Sequence, residues 1–328
     1  MSVQRVALLG IDGGGTSTVA ALADESGAVI GRGRAGPSNA KAIGPERARE
    51  ALGDAIASAF ADARLDPSPV DVACLGLAGF DRPEDRALLG HWADSVRWAR
   101  QLIPANDAEL VLAAGTPEGW GIALIAGTGS IAFGRTPDGR IARAGGWGPL
   151  FGDEGSAYEV AIAGLRAVAR RADGRSPTAG EPDPFSERIC KAVGVDAPRH
   201  LVSALYSPQW DRARLAALAP EVILAAEEDD DLSAEITDRA ALDLAQMIDA
   251  VRLRLGQELM QAQSPQAREW FVGPLPIAFA GGFLLGVEPL QVKLRQTLIA
   301  HQGESLGTVQ LVREPVLGAI ALARRALR

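Results

Sequence analysis

Two short segments of the chain repeat one pattern, in which an apolar run is followed by a turn of small residues and a second apolar run. The first segment is Leu8–Thr18 and the second is Leu124–Ala132. Each first run has the length of a buried strand, and glycine permits the turn because it lacks a Cβ and tolerates positive φ. Consecutive N–H groups in such a turn form a concavity that accepts an anion. The repeat therefore predicts two related halves, whose turns hold one polyphosphate from opposite sides.

The residues of the first turn exclude two common phosphate-binding motifs. No Gly-Lys-Ser/Thr follows it, so it is not a Walker loop. The segment Ser17–Ala23 continues as an alternating strand, which excludes the dinucleotide fingerprint. A single turn of this kind also fits an ordinary tight hairpin. The repeat of the turn and Asp12 at its edge favour a phosphate-binding site that contains a cation. A carboxylate there repels phosphate unless a cation lies between them, so we expect Mg²⁺ at Asp12, held mostly through water and nucleotide oxygens.

Composition restricts the class of protein. The chain has 328 residues, of which 47% are hydrophobic, and a formal net charge of −8. An acidic chain is a poor candidate for binding nucleic acid or an anionic membrane surface, so we expect neither partner. Cys74 and Cys190 form no Cys-x-x-Cys pair, which argues against disulfides, zinc and iron–sulfur clusters. With no signal sequence and no apolar window of membrane length, the expected location is cytoplasmic.

The order of predicted elements repeats in the two halves. Three strands joined by short turns open the first half, within residues 6–35, and three more open the second half, within residues 122–145. Helices and single strands follow each triplet. The predicted helices include Pro83–Trp98 and one continuous helix over Arg212–Glu228. The order corresponds to a duplicated βββαβαβα core.

A series of segments matches the motifs of one family in the same order. The segments are Gly10–Thr16, Gly36–Asn39, Asn106–Ala108, Ala126–Ser130, Gly145–Ser156, Ala280–Phe283 and Pro315–Ala319. On these segments the chain resembles the N-acetylglucosamine kinases and BadF/BadG-type ATPases of the actin/hexokinase/Hsp70 superfamily. The resemblance spans almost the whole chain.

The resemblance implies an α/β fold of two ribonuclease H-like, actin-like ATPase domains with an active-site cleft between them. The amino-terminal domain is expected at residues 1–114, with a helix at residues 315–328 packing back on it. The carboxy-terminal domain is expected at residues 115–314. The resemblance also implies ATP and Mg²⁺ as cofactors and a homodimer as the assembly.

Three glycine-containing turns are the expected nucleotide contacts in such a fold. The resemblance places phosphate or ATP at Asp12, Gly13, Gly14, Gly15 and Thr16 in the first turn, at Gly127, Thr128, Gly129 and Ser130 in the second, and at Gly281 and Gly282 beside the adenosine. A plain strand-to-helix turn is the alternative interpretation of Gly281 and Gly282.

Asp107 is the candidate catalytic base and also a candidate sugar contact. Phosphoryl transfer to an alcohol needs a base beside the attacking hydroxyl. Asp107 follows a predicted strand and precedes a predicted helix, and the matching Asp of the family accepts the proton of the sugar 6-hydroxyl. The alternative is a helix N-cap, for which Asp is a favoured residue.

Further sugar contacts follow from the resemblance. The expected residues are Asn39, Gly146, Trp147, Asp153 and Glu154. Each has an alternative structural role. Asn39 also fits a turn, Trp147 a core position, and the two acids the start of a helix, where the dipole stabilises negative charge.

The function that the resemblance implies is transfer of the γ-phosphate of ATP to the 6-hydroxyl of an amino sugar, with N-acetylglucosamine as the first candidate. N-Acetylmuramic acid and glucosamine are alternative substrates. Two other classes stay open. One is an activator ATPase of a 2-hydroxyacyl-CoA dehydratase or benzoyl-CoA reductase system, which holds a cluster with cysteines, and the other is a non-catalytic sugar sensor.

Overall fold

The computed structural model describes residues 6–78, 98–176, 183–266, 270, 273–303 and 306–327. The chain divides into two units. Met1–Trp120 with Val312–Arg328 form the amino-terminal unit, and Gly121–Leu311 form the carboxy-terminal unit. These limits lie a few residues from the boundaries predicted at residues 114 and 314.

A five-stranded mixed sheet forms the centre of the amino-terminal unit. Its strands are β1 (Leu8–Gly13), β2 (Thr18–Ala23), β3 (Val29–Ala35), β4 (Val70–Leu77) and β5 (Ala99–Ala105). The order is β3-β2-β1-β4-β5, with β1, β2 and β3 antiparallel and β4 and β5 parallel to β1. The parallel pairing brings the carboxyl ends of β1, β4 and β5 to one edge of the sheet. Asp12 and Asp107 both lie at that edge.

Helices cover both faces of this sheet. They are α1 (Ala40–Ile43), α2 (Pro45–Asp62), α3 (Asp107–Gly115) and a carboxy-terminal helix (Val316–Leu327). Because side chains alternate along a strand, Leu9 and Ile11 face one side and pack with α2, whereas Leu8 faces the other side. Leu8 packs in the cluster that includes Leu110 of α3 and Ile320 of the carboxy-terminal helix. The carboxy-terminal helix is thus part of the core of the amino-terminal unit.

The carboxy-terminal unit repeats this topology. Its strands are β6 (Gly121–Ala126), β7 (Ser130–Arg135), β8 (Ile141–Gly145), β9 (Leu275–Ala280) and β10 (Leu306–Leu311). The order is β10-β9-β6-β7-β8, with β6, β7 and β8 antiparallel and β9 and β10 parallel to β6. Each sheet therefore joins an antiparallel triplet to two parallel strands, and the predicted α/β fold with duplicated actin-like ATPase sheets is confirmed.

Most helices of the second unit lie in the long connection between β8 and β9. They are α4 (Ala157–Ala172), α5 (Pro184–Val193), a 3₁₀ turn (Pro198–His200), α6 (Leu201–Leu205), α7 (Arg212–Ala216), α8 (Ala219–Ala226) and α9 (Asp231–Gln261), with α10 (Gly282–Gly286) and α11 (Glu288–Gln302) after β9. The helix α9 packs against β6, β7 and β8. No helix in the described ranges is both long and apolar enough to cross a membrane.

Of the predicted helices, one is interrupted in the structure and one lies almost wholly outside the described residues. The continuous helix predicted over Arg212–Glu228 is wrong, because the structure has two short helices, α7 and α8. Pro220 lies in the first turn of α8, where its missing N–H costs nothing, whereas inside a continuous helix it would remove a hydrogen bond and clash. The helix predicted from Pro83 to Trp98 lies outside the described residues, apart from Trp98 itself.

Candidate functional site

The first glycine turn closes the hairpin between β1 and β2. The Gly14 amide donates to the Ser17 carbonyl at 3.0 Å, and the Ser38 amide donates to the Gly14 carbonyl at 3.1 Å. None of Gly13, Gly14 and Gly15 has positive φ, so the expected conformational reason for these glycines is wrong. Space explains Gly13 instead, since a Cβ there would lie 2.3 Å from Ser38 Oγ.

The remaining residues of the first turn stay open to a ligand. Gly15 and Thr16 are exposed, and a Cβ on Gly15 would meet no atom within 4 Å. Beside the turn, Ser38 Oγ is buried and has no hydrogen-bond partner among the described residues. Asn39 follows it, half-buried, and its carbonyl accepts the Ile43 amide of α1 at 3.2 Å.

Asp12 lies in β1, one residue before the turn, and has a strongly shifted titration. Burial, together with the negative charge of Asp107, raises the pKa of Asp12 from 3.8 to about 7. The two carboxylates are 95 residues apart in sequence yet close enough to repel each other. Two carboxylates that repel each other are stabilised by a bound cation, so this pair fits a divalent metal ion.

Asp107 does not cap its helix, so the alternative role considered for it is wrong. The N-cap of α3 is Asn106, whose Oδ1 accepts the Glu109 amide at 2.8 Å. Glu109 closes a capping box, because its Oε2 accepts the Asn106 amide at 2.9 Å. Asp107 is instead the first helical residue, half-buried, with Oδ1 accepting the Ala108 amide at 2.9 Å. The local fold thus holds Asp107 at the sheet edge without depending on its carboxylate as the cap.

The second glycine turn is held by the start of α4 and by Asp153. The Ala157 amide donates to the Gly127 carbonyl at 2.9 Å, and the Ser130 amide donates to Asp153 Oδ1 at 3.3 Å. The hydroxyl of Ser130 donates to the Glu154 carbonyl at 2.7 Å. Two of the residues predicted to bind the sugar therefore contact the predicted phosphate turn directly.

Asp153 has a partner that sequence reasoning missed. Asp153 is 4% exposed, its φ is +62°, and its Oδ2 forms an ion pair with Arg212 of α7. The same guanidinium nitrogen, Nη2, donates to the Thr128 carbonyl at 3.2 Å. Arg212 follows Asp153 by 59 residues and has no motif of its own. The sequence contains no signal that would have paired them.

The loop after β8 presents an exposed aromatic surface. Gly145, Gly146 and Gly148 all have positive φ, which only glycine adopts without strain. Trp147 between them is 61% exposed, so the alternative that it belongs to the core is wrong. Its ring lies 6.2 Å from that of Phe151, and the guanidinium of Arg143 lies 5.6 Å from the ring centre.

Glu154 is exposed as well, and Ser156 caps α4 by accepting the Glu159 amide.

The turn predicted for adenosine lies next to the second phosphate turn. Gly281 follows β9, which pairs with β6, and its φ is +98°. A Cβ there would lie 2.3 Å from the Ala126 carbonyl oxygen, so the two backbones touch at this point. The amide nitrogen of Gly282 is 4.0 Å from the position of a Cβ on Gly127. Glycine is thus required here by both conformation and space.

A comparison with known proteins shows the family to which the chain belongs. The sequence profile of the BadF/BadG/BcrA/BcrD ATPase family matches residues 9–322. The chain belongs to this family. The match includes both glycine turns, Asp107 and the Gly281–Gly282 turn.

Three proteins that are similar to the chain are named as sugar kinases. The N-acetylmuramic acid/N-acetylglucosamine kinase of Clostridium acetobutylicum is 28% identical over 317 residues, covering 97% of this chain and 98% of the relative. The N-acetyl-D-glucosamine kinase of Dictyostelium discoideum is 30% identical over 264 residues, covering 76% and 80%. Among solved structures, a candidate N-acetylglucosamine kinase of Chromobacterium violaceum is similar with a TM-score of 0.72, 25% identity and coverage of 98% and 99%.

The cysteines of this family member do not form a cluster site in the described part of the chain. Cys74 and Cys190 are both free and buried. Burial raises the pKa of the Cys74 thiol to about 12, with a smaller effect from Glu109. No group of three or more His, Cys, Asp and Glu side chains within the described ranges is arranged to hold a metal ion.

Proposed function

We propose that this protein is an ATP-dependent kinase that transfers the γ-phosphate to the 6-hydroxyl of an amino sugar. N-Acetylglucosamine is the first candidate acceptor, because it appears in the names of both curated relatives described above. N-Acetylmuramic acid is the next candidate, and glucosamine is the third. The observation that carries the proposal is the pair Asp12 and Asp107 at one sheet edge, with the capping role of Asp107 taken by Asn106.

Asp107 is proposed to accept the proton of the attacking sugar hydroxyl. A general base must be within hydrogen-bond reach of the proton that it takes, and its geometry must be fixed. The capping box of Asn106 and Glu109 fixes the first turn of α3, on which Asp107 stands. The carboxylate then orients the 6-hydroxyl and raises its nucleophilicity as the proton transfers.

Asp12 is proposed to help to hold Mg²⁺, which would neutralise phosphate charge during the transfer. The fit is chemical, because a magnesium ion prefers carboxylate and water oxygens and often takes only one or two protein carboxylates. Burial and the charge of Asp107 raise the pKa of Asp12, so a bound cation would stabilise the charged form of its carboxylate. The backbone amides of the two glycine turns would bind the phosphates of ATP, and Gly281 and Gly282 would lie against the adenosine.

The sugar is proposed to contact Asn39 and the Trp147 loop. The amide side chain of Asn39 can both donate to and accept from hydroxyls. The exposed indole of Trp147 offers an apolar face, and Gly146 beside it allows close approach of backbone. Asp153 and Glu154 are the proposed acidic contacts. Each Asp153 oxygen accepts one hydrogen bond within the protein and can accept a second.

The experiment is ADP release with MgATP in the presence of N-acetylglucosamine, N-acetylmuramic acid, glucosamine or glucose. Sugar-dependent ADP release is expected from an amino sugar, and 6-deoxy-N-acetylglucosamine should not be phosphorylated. Asp107→Asn should abolish the signal, and Asp54→Asn, an exposed carboxylate of α2, is the matched control. ATP turnover that is indifferent to every sugar would overturn the proposal in favour of an ATPase activator or a sensor.

The assembly and the cellular location stay predictions. The resemblance favours a homodimer, which sedimentation velocity at several protein concentrations would test. A cytoplasmic location agrees with the two unpaired cysteines. Cell fractionation of the native host tests that expectation.

A further inference from the structure

One arginine joins two parts of the proposed site within the carboxy-terminal unit. Arg212 Nη2 donates to the carbonyl of Thr128, in the centre of the second phosphate turn, and the same guanidinium is ion-paired with Asp153. Asp153 in turn accepts the amide of Ser130, at the end of that turn. The turn is therefore held at two points by one Arg–Asp pair.

The surroundings of the guanidinium keep it in this place. It lies over the ring of Tyr158 in α4, with 5.4 Å between its central carbon and the ring centre. Its Nε is buried and has no hydrogen-bond partner in the described part of the chain, whereas 40% of the side chain is exposed. The guanidinium thus contacts the turn through Nη2, while the side chain as a whole is only partly buried.

Gly129 shows how tightly the pair fits against the turn. A Cβ at this position would lie 2.8 Å from Asp153 Oδ1 and 3.1 Å from Arg212 Nη2. Its φ is not positive, so conformation does not require glycine there. The missing side chain is explained by the Arg–Asp pair, which occupies the space that a Cβ would need.

We infer that Arg212 is a positioning residue of the kinase. It holds the second phosphate turn in its binding conformation, and through Asp153 it links that turn to the acceptor sugar. The second statement rests on the proposed function, because it uses Asp153 as a sugar contact. A sugar hydroxyl that binds Asp153 changes the charge distribution on a carboxylate shared with Ser130 and Arg212, so the sugar and the nucleotide should affect the binding of each other equally.

A general structural role is the competing explanation, and Arg214 provides the comparison. It stands on the same short helix, with its guanidinium over the Trp210 ring at 4.4 Å and its Nη1 donating to the Gln209 carbonyl at 3.4 Å. Arg214 forms neither a hydrogen bond nor an ion pair with Thr128 or Asp153, which are both among the described residues. If Arg212 only stabilised the fold, the two substitutions Arg212→Gln and Arg214→Gln would differ in unfolding and not in nucleotide affinity.

The test is the dissociation constant for MgADP, measured by calorimetry with and without saturating N-acetylglucosamine. In the absence of sugar, Arg212→Gln should weaken MgADP binding about tenfold or more, since a charge-assisted hydrogen bond to the turn is lost. Arg212→Lys should recover part of the loss, because an ammonium keeps the charge but not the planar fork. Arg214→Gln should stay within about twofold of the wild-type value.

The measurement of MgADP binding with saturating sugar tests the link through Asp153. Wild-type protein should bind MgADP several-fold tighter with sugar present, and Arg212→Gln and Asp153→Asn should each remove most of this change. Unchanged MgADP affinity in Arg212→Gln would overturn the positioning role. Equal sugar dependence in wild type and both variants would overturn the link. If the wild type phosphorylates no sugar, the proposed function fails, and the sugar-free measurement still decides the role of Arg212.

Discussion

Asn106 and Glu109 cap one helix start reciprocally: the Glu109 amide donates to Asn106 Oδ1 at 2.8 Å, and the Asn106 amide donates to Glu109 Oε2 at 2.9 Å. Asp107 lies between them and takes no part in this exchange. The capping role and the proposed catalytic role therefore belong to different residues, so mutation can separate them.

Asn106→Ala should lower the free energy of unfolding by about 1 kcal/mol, the usual cost of losing an N-cap. Asp107→Asn should change it by about 0.5 kcal/mol or less, while kcat for the sugar falls by about 100-fold or more. Urea unfolding and ADP release on the same preparations check both numbers. Equal losses of stability in the two variants would contradict this division of roles.

Asp12 should make the unliganded protein less stable as pH rises towards neutrality. Its pKa in the native state is about 7, raised from 3.8 by burial and by Asp107. The native state then binds more protons than the unfolded state between these values, so the free energy of unfolding falls as pH rises through this range. Asp12→Asn removes that loss and should be more stable than wild type above pH 7, on the order of 2 kcal/mol.

Urea unfolding at pH 5, 6, 7 and 8 checks this pH dependence. Asp54→Asn, an exposed carboxylate of the same unit, is the matched control. A constant difference between Asp12→Asn and wild type at all four values would rule out the raised pKa. Asp107→Asn should shift the dependence to lower pH, because one of the two causes of the raised pKa is removed.

Sequence patterns were sufficient for the strands, because alternation and turn residues are local signals. The strands β1, β2 and β3 lie within residues 6–35, and β7 and β8 lie within residues 122–145, as predicted. The capping box of Asn106 and Glu109 was not predicted, because Asp107 was the N-cap considered, although the two residues have the required spacing. The ion pair of Asp153 with Arg212 was not predicted either, because no local pattern relates residues that the fold alone brings together. The break between α7 and α8 was not predicted, because the helical periodicity of the segment was given more weight than the helix-breaking effect of Pro220.

Replacing either of two glycines of the amino-terminal unit by alanine should change the free energy of unfolding, and the two changes should have opposite signs. A Cβ on Gly33 of β3 would lie 1.9 Å from the Ala55 carbonyl oxygen and 2.5 Å from the Ala59 amide nitrogen, so strand and helix would have to separate. Gly33→Ala should cost about 3 kcal/mol or more of unfolding free energy. Gly53, in the middle of α2, has nothing within 4 Å of a Cβ, and Gly53→Ala should gain about 0.5–1 kcal/mol. Thermal and urea unfolding measure both, and a loss of stability in Gly53→Ala would contradict the packing described here.

Arg171 should be a major source of stability in the carboxy-terminal unit. It is largely buried and pairs with Asp183 and Asp230, each at 2.7 Å. These two acids are the N-caps of α5 and α9, so one guanidinium ties two helix starts to α4. Arg171→Met should cost about 3 kcal/mol, because two carboxylates lose their counter-charge. Arg170→Met, its exposed neighbour, is the matched control.

The cost of Arg171→Met should depend on pH. Although burial opposes it, hydrogen bonds from Ser233 and the charge of Arg171 lower the pKa of Asp230. A lowered pKa contributes stability above the unfolded value, and this contribution is lost as pH falls through the native value. The difference between wild type and Arg171→Met should therefore shrink in acid. An unchanged difference from pH 7 to pH 3 would contradict the assignment of the ion pairs.

Trp147 should separate substrate affinity from stability. Trp147 is 61% exposed and contacts Phe151 of the same loop and Arg143 of β8, so Trp147→Ala should lower the free energy of unfolding by only about 1 kcal/mol. If the indole is the apolar wall of the sugar site, KM for the sugar should rise about tenfold while KM for ATP stays close to the wild-type value. Leu150→Ala, 92% exposed on the same loop, is the matched control for a general disturbance of the segment. Two outcomes would contradict a contact between the indole and the sugar. One is an equal rise of both KM values in Trp147→Ala, and the other is the same rise of the sugar KM in Leu150→Ala. Either result would mean that the loop affects binding as a whole.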